Sequence, residues 1–185
     1  VGLKIKFFSQ YIFPIFTIGL LFFLMRTLSI HTFSHIAYDD LTQLIYLPAG
    51  IRLVAVAICG WVGVLGIMLG WVFCHLYGDE KTFLECLLLG LISGSTAYAA
   101  LLFWQLCCKI DDALEGLTSK LVIALVLITA VFSAFVRYVY LSSIDPSIPF
   151  LSVFFIGLCG DILGSIIVLY AIKGIVYLLK RYSVL

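Results

Sequence analysis

Apolar stretches long enough to cross a lipid bilayer follow one another along this chain of 185 residues, and they constrain its fold more than any other feature. A transmembrane helix needs ~20 largely apolar residues. Hydrophobic residues make up 64% of the chain and charged residues 11%, whereas about a quarter of the residues in soluble proteins are charged. The sequence therefore predicts one polytopic membrane domain over residues 1–185, with the lipid bilayer around it.

Windows of about 19 residues predict six membrane-spanning helices. The apolar tract from residue 43 to 77 is too long for one span, so we expect two helices there, separated at Cys59-Gly60-Trp61, where glycine permits a tight turn. The predicted spans cover approximately residues 8–29, 43–59, 61–77, 84–107, 121–141 and 150–179. The predicted fold class is an all-α integral membrane protein that forms a six-transmembrane-helix bundle.

The basic residues beside the spans predict the orientation, because Lys and Arg are retained on the cytoplasmic side. One side collects more of them than the other, which predicts that both termini are cytoplasmic. The richer side holds Lys4, Lys6, Lys109, Lys120, Lys180 and Arg181, against Lys81 and Arg26 on the other side. In the outer loops, His31 and His35 are expected to be solvated, with a metal site as the less favoured interpretation.

Asp161 and Arg52 are ionisable residues in the middle of apolar segments. A charged side chain at mid-bilayer costs at least ~3 kcal/mol, so it normally faces the bundle interior and pairs, or marks a site. Counting from the outer helix ends places both residues ~14–18 Å deep, so they are predicted to meet. Three interpretations stay open: a buried ion pair that fixes helix packing, a polar cavity that receives a small ligand, and a proton or ion relay.

Other polar residues of the spans are expected to have ordinary roles. Arg137 lies near the outer end of the fifth predicted helix, within snorkelling reach of the interface. The hydroxyl residues of Ser93-Gly94-Ser95-Thr96 are expected to bond to a helix carbonyl or to a neighbouring helix.

Glycine residues in the spans predict close helix packing or an interface with a partner protein. Three GxxxG spacings occur, and small residues at this spacing let helix backbones approach closely in lipid. The residues are Gly66 with Gly70, Gly90 with Gly94, and Gly160 with Gly164, and Gly60 and Gly63 extend the first of these into a ladder.

No pattern typical of catalysis or of cofactor binding occurs in the sequence. A nucleophile elbow, an HExxH motif, a Walker loop and a catalytic carboxylate pair are all missing. The six cysteines form no CxxC and are expected to behave as small hydrophobic residues. We therefore expect no enzyme, no catalytic residue, no metal and no cofactor, and the lack of a basic block argues against nucleic acid as a partner.

Two stretches resemble a known family. Leu47-Pro48-Ala49-Gly50-Ile51-Arg52, followed by the glycine-spaced helix, resembles the early "P-x-G-I" region of the MASE1 group of bacterial membrane sensor domains. Gly160-Asp161-Ile162-Leu163-Gly164 is similar to the late "G-D-x-x-G" segment of that group. The resemblance covers roughly residues 40–180 and implies an all-helical domain of the bacterial inner (cytoplasmic) membrane. Because that group is joined to cytoplasmic output domains, the output here is expected to come through a partner.

The expected function is accordingly a non-enzymatic membrane protein, sensor-like or an accessory subunit, that binds another membrane protein and can receive a small ligand. The runner-up is the substrate-binding component of a small-solute transporter. The helix pair around Gly60 also looks like the substrate-binding component of energy-coupling-factor vitamin transporters, which have six spans in a chain of this length.

Overall fold

A computed structural model describes residues 11–33, 37–39, 41–78, 80–109 and 118–182. Most of this part of the chain is helical, and it includes one short pair of β-strands. Six helices follow in order, with two strands between the first and the second. They are α1 (Phe13–Phe33), β1 (Ala37–Asp39), β2 (Thr42–Gln43), α2 (Pro48–Cys59), α3 (Trp61–Leu76), α4 (Phe83–Cys108), α5 (Ser119–Ile144) and α6 (Phe150–Tyr182). The strands pair antiparallel.

Four of these helices, α1, α4, α5 and α6, are long and apolar enough to cross a membrane, which makes this a membrane protein. The helices α2 and α3 have 12 and 16 residues, fewer than the ~20 that a span needs. The all-helical fold is thus confirmed, whereas the count of six spans is not. The orientation of the termini stays a prediction, and residues 1–10 and 183–185 lie outside the described residues.

The helices α2 and α3 form a tight hairpin at the predicted break. Gly60 joins them with a φ of 56°, a left-handed conformation that favours glycine. Just past the turn, a Cβ atom on Gly63 would lie 2.5 Å from the carbonyl oxygen of Ala55, so only glycine fits there without a backbone shift. Helix α2 begins at Pro48, five residues later than the predicted span, because proline suits the first turn of a helix.

Helix α3 packs between α1 and α4 through glycine on both sides. Facing α1, a Cβ on Gly66 or on Gly70 would lie 2.7 Å from the side chain of Ile18 or of Phe22. On α4, a Cβ on Gly90 would lie 2.7 Å from Met68. Gly94 is similarly close to Val64. These glycines therefore face helices of the same chain.

Residues 43–47, which form no helix, lie in a groove on α6 that Gly160 and Gly164 create. A Cβ on Gly160 would overlap the carbonyl oxygen of Gln43, and one on Gly164 would overlap that of Tyr46. The Tyr46 amide donates a hydrogen bond to the Gly160 carbonyl oxygen at 3.1 Å. On the other side, Ser29 Oγ of α1 donates to Gln43 Oε1 at 2.8 Å. The G-x-x-x-G of α6 thus receives a non-helical segment of its own chain.

Gly160→Ala is expected to lower the free energy of unfolding by about 1–3 kcal/mol, because its new methyl group meets backbone that has to move. Gly174→Ala on the same helix is the control, since a Cβ there has nothing within 4 Å. The control should be neutral or stabilise by up to about 1 kcal/mol through helix propensity. Thermal unfolding of both variants in detergent measures the difference, and equal stabilities would refute this packing of residues 43–47.

Candidate functional site

Arg52 and Asp161, which the sequence predicts to meet, are in direct contact. Arg52 Nη2 donates to Asp161 Oδ2 at 3.0 Å. The residues are 4% and 1% exposed, so the contact is buried. The docking of residues 43–47 on α6 positions the two side chains, because it brings the first turns of α2 against the middle of α6.

Arg137 of α5 is a third member of this contact, and the expectation that it snorkels to the interface is wrong. Its Nη2 donates to Asp161 Oδ1 at 2.9 Å, and its side chain is 9% exposed. Helix α5 continues to Ile144, so Arg137 lies ~10 Å inside the helix end. At that depth a buried carboxylate is a nearer partner than the interface. A Cβ on Gly157 would overlap Arg137 Nη1, so this glycine makes room for the guanidinium.

Tyr46 and Ser93 complete the surroundings of the two guanidinium groups. Ser93 Oγ of α4 accepts a hydrogen bond from Arg52 Nη1 at 3.1 Å. The ring of Tyr46 lies 5.5 Å from Cζ of Arg52 and 5.5 Å from Cζ of Arg137, within the range of cation–π attraction. Thr96 donates to the Ile92 carbonyl oxygen of its own helix, the kind of bond expected for it. The site therefore combines residues from α2, α4, α5, α6 and the segment before α2.

A cavity of about 60 Å³, here called the arginine cavity, lies beside these residues. Its polar and aromatic lining includes Tyr46, Arg52, Trp71, Ser93, Ser133 and Arg137. Trp71 comes from α3, and Arg26 stacks on its ring with Cζ 4.2 Å from the ring centroid. Because α3 also contributes, five helices meet at this point.

Four buried polar atoms of the cavity lining have no hydrogen-bond partner among the described residues. They are Arg52 Nε, Trp71 Nε1, Ser133 Oγ and Arg137 Nη1. Native proteins pair nearly all buried polar groups, because an unsatisfied donor costs about 1–3 kcal/mol or more. Because all four belong to residues that line one cavity, this cavity is the candidate ligand site of the described chain.

The charges of the site are unbalanced. Two guanidinium groups share one carboxylate, which leaves a positive charge without a counter-charge within the part of the chain that the structure describes. Asp161 is the sole acidic residue buried there. A buried ion that is not compensated is costly, so the imbalance favours an anionic or electron-rich occupant over a cation.

A metal centre has no support in the described ranges, where no group of three His, Cys, Asp or Glu residues comes together. Of the less favoured metal pair, His31 lies at the end of α1 and His35 falls outside the described residues. The cysteines of the described chain form no disulfide, and Cys74 and Cys86 are buried in the helical core.

Comparison with known proteins gives no further assignment. The chain matches no protein-family model, no curated protein and no solved structure. The resemblance to the MASE1 group therefore stays a prediction, and any functional assignment rests on the site itself.

The triad of Arg52, Arg137 and Asp161 predicts unequal costs for removing its members. Asp161→Leu leaves two guanidinium groups without a carboxylate and is expected to cost about 3–5 kcal/mol of unfolding free energy. Arg52→Met or Arg137→Met leaves Asp161 with one guanidinium, so each should cost less. Chemical or thermal unfolding in detergent measures the order.

The corresponding double variant separates a triad from a simple pair. Arg52→Met with Asp161→Leu still leaves Arg137 buried and alone, so stability should recover only in part. Adding Arg137→Met should restore more of it, because the last unpaired charge is then removed. Full recovery in the double variant would mean that Arg137 does not depend on Asp161.

Proposed function

We propose that this protein is a non-enzymatic membrane module that binds a small ligand in the arginine cavity and passes its binding state to a partner membrane protein. The observation that carries the proposal is a set of four buried polar atoms, without partners among the described residues, on side chains that line one cavity. An ion pair that only fixes helix packing needs neither a cavity nor a second arginine. Ligand pockets, in contrast, place a few polar groups in a largely apolar lining.

The glycine residues pack against other segments of the same chain, which argues against a partner interface lined by them. Gly63, Gly66, Gly70, Gly90, Gly94, Gly160 and Gly164 all face other parts of the same chain, and Gly60 forms a turn. A partner would therefore have to bind elsewhere.

Helix α6 is the element that we expect to connect the cavity with a partner. It carries Asp161 and continues to Tyr182, and every residue from Lys173 to Arg181 is exposed. A ligand that pulls Arg137 or Arg52 away from Asp161 changes the contacts that hold this helix. The sensor-like role, and the location in a bacterial inner membrane, follow the resemblance to the MASE1 group.

Transport is the alternative, in which the module captures a small solute for a larger transporter. A transport module would use the same cavity as a sensor, but its partner protein would be different. Purification from native membranes in mild detergent separates the two: an ATPase pair in the complex would favour transport, and a kinase or other signalling protein would favour sensing. If the protein always runs as a lone monomer, the partner part of the proposal is wrong.

Two buried tryptophans provide a matched test of ligand binding. Trp71 lines the cavity and Trp104 does not, yet both are buried and neither indole nitrogen has a hydrogen-bond partner among the described residues. A library of neutral, cationic and anionic metabolites should contain compounds that raise the unfolding temperature of the purified protein.

Trp71→Phe should weaken the effect of those compounds by roughly tenfold, because it removes a buried donor. Trp104→Phe should leave their affinity unchanged, even if both variants lose similar stability. Equal affinity in both variants would place the ligand outside the arginine cavity, and a library without any binding compound would remove the support for the proposal.

A further inference from the structure

The unsatisfied atoms of the arginine cavity have a common chemistry. Arg52 Nε, Arg137 Nη1 and Trp71 Nε1 carry hydrogen and act only as donors, and Ser133 Oγ either donates or accepts. The Asp161 carboxylate already accepts from both arginines. The occupant that satisfies these atoms must therefore be rich in acceptors. An ammonium ion, which only donates, does not fit.

The charge of the site sets the charge of the occupant. One guanidinium is compensated by Asp161 and the other is not, so an occupant with a single negative charge neutralises the cluster. A dianion would leave an excess negative charge in a buried place, which is as costly as the positive charge it replaced. A neutral molecule would leave the positive charge uncompensated.

The shape of the site limits the occupant as well. Each arginine uses Nη2 on Asp161, and Arg52 also uses Nη1 on Ser93. This leaves Nε of Arg52 and both Nε and Nη1 of Arg137 without a partner among the described residues. Guanidinium groups bind planar oxyanions well. A cavity of about 60 Å³ accommodates an occupant no larger than a few water molecules.

We propose that the arginine cavity binds a small, planar, monovalent oxyanion of the carboxylate type. Trp71 Nε1 and Ser133 Oγ are the donors, Arg52 Nε is the third where the ligand reaches it, and Arg137 contributes its uncompensated charge. The proposal deepens the proposed function and rests on it, because it names the chemical class of the ligand for the same cavity. Water alone would satisfy the donors without neutralising the charge, so the test must separate an anion from water.

The test measures the unfolding temperature of the purified full chain in mild detergent and chloride buffer at constant ionic strength. The probes are sodium formate, acetate and nitrate. Acetamide has the shape of acetate without its charge, methylammonium has the opposite charge, and sulfate is the dianion. The three monovalent oxyanions should raise the unfolding temperature with saturation, as binding to the folded state requires. Acetamide, methylammonium and chloride should not, and sulfate should bind more weakly.

Ser133→Ala and Ser165→Ala are the matched variants. Both serines are buried, but Ser133 lines the cavity and Ser165 does not. Ser133→Ala removes a hydroxyl group that has no partner in the described chain, so the protein without ligand should keep its stability. Its apparent dissociation constant for acetate or formate should rise roughly tenfold, which is the usual effect of losing a hydrogen bond to a charged group. Ser165→Ala should leave that constant unchanged.

Each of the other possible outcomes refutes a specific part of the proposal. If acetamide or methylammonium binds as well as acetate and the binding depends on Ser133, the ligand class is wrong and the proposed function stands. If sulfate binds as tightly as acetate, the single charge is wrong. If none of the probes binds but a library compound does, the oxyanion proposal is wrong and the ligand-binding function stands. If nothing binds, both the oxyanion and the ligand-binding function fall.

Discussion

The carboxylate of Asp161, held between Arg52 and Arg137, is the interaction on which the rest of the structure depends. Charges inside an apolar helix bundle are tolerated only when they are paired, so the three side chains fix the relative positions of α2, α5 and α6. A second arginine, however, adds a positive charge that pairing with one carboxylate does not remove. The same interaction that orders the bundle therefore leaves a site that is electrostatically incomplete.

Close backbone approach makes this interaction geometrically possible. Gly160 and Gly164 open a groove on α6 in which residues 43–47 lie, and Gly157 makes room for the Arg137 guanidinium. This non-helical segment matters because it carries Tyr46, whose ring lies equally far from both arginines, and leads directly to Pro48 and the first turn of α2. On the other side of the bundle, the glycines of α3 and α4 let Trp71 approach the same cavity. The glycines thus position the residues of the site as well as allowing close helix packing.

Particular residues show how far sequence reasoning reached. Arg52 and Asp161 stood out because each interrupts an apolar segment, and equal depth was enough to suggest their contact. Arg137 was missed because its predicted helix ended three residues too early, which placed it close to the interface. The small residue at Gly157, one helical turn before Asp161, was a signal that could have indicated a bulky partner there. The GxxxG of α6 was recognised, but its occupant was not, because spacing shows that something packs closely without showing what.

The sequence by itself determined that this is a helical membrane protein, where its chain turns at Gly60, and which residues are too polar for their surroundings. These properties are local, since they follow from hydropathy, from the conformational freedom of glycine and from the cost of burying a charge. Only the tertiary structure decided that one carboxylate serves two arginines, that a non-helical segment fills the glycine groove of α6, and that residues with unsatisfied donors line one cavity. These features depend on which segments, distant in sequence, come within a few ångströms of each other, and a pattern along one helix does not contain that information.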